Sequence, residues 1–331
     1  MPDISKINAL AIGSVSKVDG LAKASILDID GVTVPSAYTG LLDETYGSNA
    51  AAAYSVRLLR AAYKTGGGSI MRVRRDVDNV EADVGFDSNN ELGLTSPISN
   101  TSDAQSYTDF ADFMVVSGVP RSGFVRYWYD QSGNGVDAGQ ATQGSQPQIY
   151  GAGGIIEEGA AGKEKPALSC AGSTALNFDL STSVQSGGYW HSFHVMQSTD
   201  AVAILMSSQT DGNMYYAISQ GTTTTAISGG FVTTGGSNTY AEYWKNGTQP
   251  LSSGATRNDI TNTFYTGNQL LMNFMATTSS GRNVTDMRLA DYATSGFGYT
   301  GTLQEVIIYQ SDKSGNRSDI EDNLNGYFQI Y

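Results

Sequence analysis

Cysteine is nearly absent from this 331-residue chain: Cys170 stands alone, so no intrachain disulfide can form and the fold must hold without one. Charged residues are scarce at 15%, and the balance is strongly acidic, with 19 Lys and Arg against 32 Asp and Glu. A net charge of −13 repels phosphate backbones and anionic lipid, which excludes nucleic acid and the membrane surface as expected partners. No apolar run approaches the length of a membrane span, and no charged-then-apolar leader opens the chain, so neither a transmembrane helix nor a secretory signal is expected. Proline is sparse, with 7 residues. Strong helix formers give way to Gly (39), Tyr (19) and many Ser, Thr and Asn, the composition of short strands joined by tight turns. Cys170 lies in the apolar run Pro166-Ala-Leu-Ser-Cys-Ala and reads as a buried structural thiol.

The first 36 residues hold three copies of an 11-residue unit: ISKINALAIGS from Ile4, VSKVDGLAKAS from Val15 and ILDIDGVTVPS from Ile26. Apolar residues recur at matching places, Ile4, Ile7 and Leu10, then Val15, Val18 and Leu21, then Ile26, Ile29 and Val32. Units this small cannot bury a core alone, so residues 1–36 are expected to be an arm that docks or oligomerises. Residues 37–331 then form one large domain.

Ser48 or Asn49 followed by Ala50–Tyr63 predicts a helix, ended by Gly66-Gly67-Gly68. Thr108–Ser117 predicts a second short helix. From Ala167 onward the pattern is β throughout. The expected strands are 175–180, 190–197, 201–207, 214–219, 225–232, 240–245, 262–276, 287–290 and 302–310, with turn clusters between them. A last helix is expected near 318–328, with Ser318 and Glu321 as a capping box and Ile320, Leu324 and Phe328 as its apolar stripe. The fold class is therefore all-β, a sandwich with a few short helices.

Chemistry-bearing motifs are few. His191 and His194 on one strand would point to opposite faces, wrong for a shared metal. The acidic run Asp76 to Asp83 lacks the glycine and glutamate of a calcium loop. Its neighbours Arg72, Arg74 and Arg75 predict paired surface charges instead. No metal or cofactor is expected. Sugar-binding sites combine aromatic faces with Asp and Asn. Trp128, Tyr129, Asp130, Asn134, Trp190, Tyr243, Trp244 and Asp291 are the candidates, against the alternative that strand aromatics are core.

Two segments carry a resemblance. Ala53-Tyr-Ser-Val-Arg-Leu-Leu through Ile70-Met-Arg-Val-Arg-Arg-Asp-Val-Asp-Asn, and Trp128-Tyr-Asp-Gln-Ser-Gly-Asn-Gly135 with Gln140-Ala-Thr, resemble the catalytic domain of fungal α-L-arabinofuranosidase B. Gly301-Thr-Leu-Gln-Glu-Val-Ile-Ile-Tyr to Arg317 is similar to that domain's closing strand and helix, and looks more like bacteriophage structural proteins that reuse it. The resemblance implies a concanavalin-like jelly roll. It also implies a Glu nucleophile in a string that this chain lacks, with Glu242 as the nearest substitute, and an acid/base Asp near the place of Asp291. On these grounds the chain is expected to be a non-enzymatic virion component, a tail, fibre or capsid-surface protein. It would be released by lysis and anchored by its arm to other virion proteins and to its own copies, as a trimer on a fibre or at higher copy number on a shell. A carbohydrate-binding module and an arabinofuranosidase-like hydrolase are the alternatives.

Overall fold

The computed structural model describes residues 38–151, 153–180, 189–199, 202–208, 215–220, 240–251, 257–277, 286–291 and 298–331, and six two-residue strands before them. The chain forms two compact units, Met1–Gly40 and Leu41–Tyr331.

In the first unit each sequence repeat makes one antiparallel pair: Lys6–Ile7 with Leu10–Ala11, Lys17–Val18 with Leu21–Ala22, and Asp28–Ile29 with Val32–Thr33. The register is the same each time, Ile7 opposite Leu10, Val18 opposite Leu21 and Ile29 opposite Val32. Repetition of sequence thus becomes repetition of structure. Ile4, Val15 and Ile26 lie outside the described residues.

The second unit is the expected all-β sandwich. Its main strands are β1 (Ala52–Ser55), β2 (Met71–Arg75), β3 (Glu81–Val84), β4 (Gly123–Trp128), β5 (Ala138–Gly139), β6 (Gln148–Gly151), β7 (Leu168–Ala171) and β8 (Leu176–Asp179). They continue as β9 (Tyr189–Ser198), β10 (Val202–Ser208), β11 (Tyr215–Gln220), β12 (Tyr240–Lys245), β13 (Thr248–Leu251), β14 (Leu270–Thr277), β15 (Asp286–Leu289) and β16 (Thr300–Tyr309). The front sheet runs β3-β2-β4-β5-β8-β15-β10-β11, all antiparallel. The back sheet runs β1-β16-β9-β14-β12-β13, also antiparallel. Strand β7 pairs with β6 on one side and β16 on the other, so hydrogen bonding passes from one sheet to the next.

The core lies between the sheets. Tyr54 of the back sheet meets Trp128 and Phe178 of the front sheet at ring-centroid distances of 5.8 and 5.6 Å. Period-2 alternation explains the front strands: Leu176 and Phe178, and Met287 and Leu289, point inward, while Asn177, Asp179, Asp286 and Arg288 point outward. The central back strand is buried on both faces instead, from Trp190 to Met196, because helix α4 (Arg317–Phe328) covers its outer side. Helix α4 buries Ile320, Leu324 and Phe328, as its apolar spacing predicts, and Glu321 beside them.

Three local expectations are corrected. The segment 50–63 is not one helix: Ala52–Ser55 is a strand paired with β16, and only Ala61–Thr65 (α1) is helical. Asn49 turns the backbone at φ 63°, and the small alanines fit a strand buried on both sides, so tertiary pairing overrides their helix propensity. The stretch 262–276 divides into helix α3 (Arg257–Phe264, following α2 at Phe110–Phe113) and β14. Ser318 does not cap α4; Asn316 holds that position, and Glu321 is bound by Arg317 and Asn273. The strand expected at 225–232 lies outside the described residues.

Candidate functional site

The Asp-Gln-Ser-Gly-Asn-Gly loop is the most distinctive motif, and its side chains are spent on the fold. Asp130 Oδ1 accepts from the amides of Ala53 (2.8 Å) and Ser132 (2.9 Å). Its Oδ2 accepts from Ser132 Oγ (2.6 Å) and the Val136 amide (3.2 Å). Gln131 Oε1 accepts from the Leu59 amide, and its Nε2 donates to the carbonyl of Arg57. Asn134 Nδ2 donates to the carbonyls of Ala50 and Ala51. Gly133 and Gly135 supply φ values of 93° and 70°, which side chains rarely adopt. The loop thus clamps the segment 50–59 against β4. Asp130 is buried by this task and offers no lone pair to a ligand.

The two outer faces of the sandwich differ sharply. On the back sheet, Glu242 and Trp244 point outward beside α4, with Arg317 lying over the Trp244 ring at 3.5 Å. Trp244 Nε1 donates to Glu242 Oε2 at 3.4 Å. Tyr243 faces the other way, into Phe264 and Phe274. Trp128 and Trp190 are wholly buried and present no ring to solvent. His191 Nδ1 accepts from the Lys313 amide (2.8 Å), and His194 Nε2 lies 2.9 Å from Ser192 Oγ. Burial pushes both imidazoles down, to about 4 and about 3, so both are neutral core groups. Cys170 is buried, which pushes its thiol up to about 12 and leaves it inert. Among the described residues no group of His, Cys, Asp and Glu could hold a metal ion.

The front sheet carries the polar face. One register row crosses it: Asp83 opposite Arg72, Arg72 opposite Tyr127, Tyr127 opposite Gly139, Gly139 opposite Asn177, Asn177 opposite Arg288, and Arg288 opposite Ser207. Directly opposed residues share a face. Their neighbours Met71, Trp128, Ala138, Phe178, Met287 and Met206 all point into the core. At one end, Arg72 donates to Glu81 and Asp83 at 2.8 and 2.9 Å, and Asp83 also accepts from Tyr129 Oη (2.7 Å) and Asn100 Nδ2 (2.7 Å). Arg72 is thus paired as expected and Arg75 pairs with Asp78, but Arg74 and Arg75 are buried rather than on the surface, and Arg74 bonds to the neutral Gln146 and Asn79. Burial, and then the bond to Asp83, raise the Tyr129 phenol well above its ordinary value. Asp137, on the loop beside this end, is raised by burial first; the amide of Asp130 opposes this, and the charges of Asp130 and Asp83 add to it.

At the other end, Arg288 Nη1 binds Asp291 Oδ2 at 3.0 Å and Arg288 Nε donates to Asn177 Oδ1 at 3.1 Å. Asp286 stands two residues from Arg288 on the same face, opposite Asp179 of β8. The backbone turns sharply just before Asp291. Ala290 sits at φ 63°, a left-handed conformation costing a non-glycine residue on the order of 1 kcal/mol, and such strain gathers at functional sites. It is held there by Ala290 N to Leu205 O (2.7 Å), Tyr299 N to Ala290 O (3.0 Å) and Ser207 Oγ to Asp291 O (2.9 Å).

Of the sugar-site candidates, then, Tyr129 and Asp291 lie at opposite ends of one half-exposed polar face. Trp128, Trp190 and Tyr243 belong to the core, Asp130 and Asn134 to the loop clamp, and Trp244 to the α4 side. Glu242 and Asp291 belong to the outer faces of different sheets, so they cannot form one catalytic pair. Arg72, Tyr127, Asn177 and Arg288 were not legible as site residues. Only the outward alternation of the Leu-Asn-Phe-Asp and Asp-Met-Arg-Leu strands hinted at two of them.

No family model and no curated protein matches this chain. Solved structures do. A GH54 α-L-arabinofuranosidase soaked with a cyclic sulfate inhibitor is 14% identical, with a TM-score of 0.49. An arabinofuranosidase complexed with arabinofuranosyl-α-1,2-xylobiose is 16% identical, with a TM-score of 0.48. In both cases the match covers 83% of this chain and 62% of the other, so this chain spans less than two thirds of their length. These neighbours correct the expectation of a non-enzymatic virion component: they are glycoside hydrolases, and nothing found points to a phage particle.

Proposed function

We propose that the front face is the active face of a glycoside hydrolase of the arabinofuranosidase type. One observation carries this reading: three carboxylates, Asp291 paired with Arg288 and the opposed Asp286 and Asp179, share one polar sheet face beside a strained Ala290. Glycoside hydrolysis needs two carboxyl groups flanking the scissile bond, one to protonate the leaving oxygen and one to attack or to activate water. Asp291 occupies roughly the position where the sequence resemblance puts an acid/base aspartate, just before the closing strand β16. Asp286 is the second carboxylate on the same strand face. Asp179 is directly opposed to Asp286 across the strands, on the same face. Arg288 holds Asp291 in place and offers donors to sugar hydroxyls.

The test is release of 4-nitrophenol from 4-nitrophenyl α-L-arabinofuranoside. Asp291→Asn should lower kcat by roughly 10²–10⁴-fold while leaving the fold intact by circular dichroism. A wild-type protein that releases nothing in prolonged incubation at high concentration sinks the hydrolase reading. Full activity in Asp291→Asn removes Asp291 from it.

A further inference from the structure

The row does not stop at the carboxylates. From Arg288 it passes Asn177 and Gly139 to Tyr127, three inter-strand steps of about 4.8 Å each, or roughly 14 Å. The side chains along it change character in a consistent way. Arg288 and Asn177 are charged or polar and bonded to each other at 3.1 Å. Gly139 has no side chain, and the Tyr127 ring lies over it. A Cβ there would come within 2.6 Å of the Tyr127 ring, so the glycine is what lets that ring lie flat against the sheet. Beyond it the rings of Tyr127 and Tyr129 are near parallel, with centroids 6.2 Å apart and planes 8° from each other. Both are half-buried rather than core residues. The Tyr129 ring is fixed by its 2.7 Å bond to Asp83, itself held by Arg72.

A strip with a braced aromatic ledge at one end and hydrogen-bonding groups at the other suits a chain of sugar rings. Pyranose and furanose rings present an apolar face to aromatics and hydroxyls at their edges. A single sugar at Arg288 would leave the ledge unused, three strands away. We propose that Tyr127, with Tyr129 behind it, is a sugar-stacking subsite at the far end of this row, so that the ligand is an oligosaccharide or polysaccharide segment laid across the strands. The inference rests on the Arg288 end being a sugar site, as read above, but not on that end performing hydrolysis.

Isothermal titration calorimetry with arabino-oligosaccharides of two to five units tests this. The catalytically blocked Asp291→Asn protein serves as background, so that turnover does not intrude. Affinity should rise about tenfold between the two-unit and four-unit ligands, a gain of about 1.4 kcal/mol. Tyr127→Leu, which keeps apolar bulk beside Gly139 but removes the aromatic face, should abolish the gain with length and retain the two-unit affinity. Tyr127→Phe should keep the gain. Affinity independent of length, a Tyr127→Leu protein with an unaltered gain, or no binding of any of these ligands overturns the subsite. Length-dependent, Tyr127-dependent binding by a wild-type protein that hydrolyses nothing leaves the subsite standing and removes only the hydrolase reading.

Discussion

The two outer faces of the sandwich are made from the same kind of strand and put to opposite uses. The back face is sealed. Helix α4 lays Ile320, Leu324 and Phe328 on it, and the ion pair of Arg57 with Glu305 is shut beneath, Glu305 fully buried. Arg57 also stacks on Tyr327 at 4.8 Å and donates to Asn323 of the helix at 2.9 Å. The front face keeps its charges half-exposed and in a line, with strain left at Ala290. The difference teaches where stability and chemistry reside. A charge sealed with its partner helps to fix one packing arrangement, whereas a charge on a wet face is available to a ligand and adds little to the fold.

Substitutions can break that division. The largest effect is expected at Arg57. Arg57→Ala leaves Glu305 buried without its partner and should cost about 3–5 kcal/mol in denaturant unfolding. A loss below about 1 kcal/mol would show that the back face is not sealed as described.

A smaller effect, and one that depends on pH, is expected at Glu321. Burial raises its carboxyl to about 7, against the opposing pull of Arg317 and of the Asn273 bond. The folded value then lies above the unfolded one, so the native state binds the extra proton between about 4.5 and 7. Stability from this group is full below that window and is lost as pH rises through it. Glu321→Gln should flatten that part of the stability profile; a profile identical to wild type would sink the assignment.

The smallest effect on stability belongs to the front face. Arg72→Gln removes half-exposed pairs with Glu81 and Asp83 and should cost no more than about 1 kcal/mol. It also loosens the brace on Tyr129, so it should weaken oligosaccharide binding more than it lowers the unfolding midpoint. The reverse order would erase the contrast between the faces.

Much of the fold could be read in advance. The three repeats of the arm gave three strand pairs because each repeat carries its own local pairing. Ile320, Leu324 and Phe328 marked the last helix because helical spacing is written in consecutive turns. Reading failed where a partner far along the chain decided the outcome. Ala52–Ser55 reads as helix by propensity and becomes strand because residues 305–308 pair with it. Trp128 and Tyr129 are adjacent and equally aromatic, yet one is core and the other reaches the polar face, as strand alternation requires once the face is known.

Sequence by itself determined the all-β class, the three strand pairs of the 11-residue repeats and the solitary buried thiol. These follow from composition and from patterns a few residues long. Only the tertiary structure decided which polar residues form a site. Arg72, Tyr127, Gly139, Asn177, Ser207 and Arg288 are scattered over more than two hundred residues, and strand register alone brings them into one row. Register depends on long-range backbone hydrogen bonds and on which side chains the core accepts, and neither leaves a mark in any short stretch of sequence.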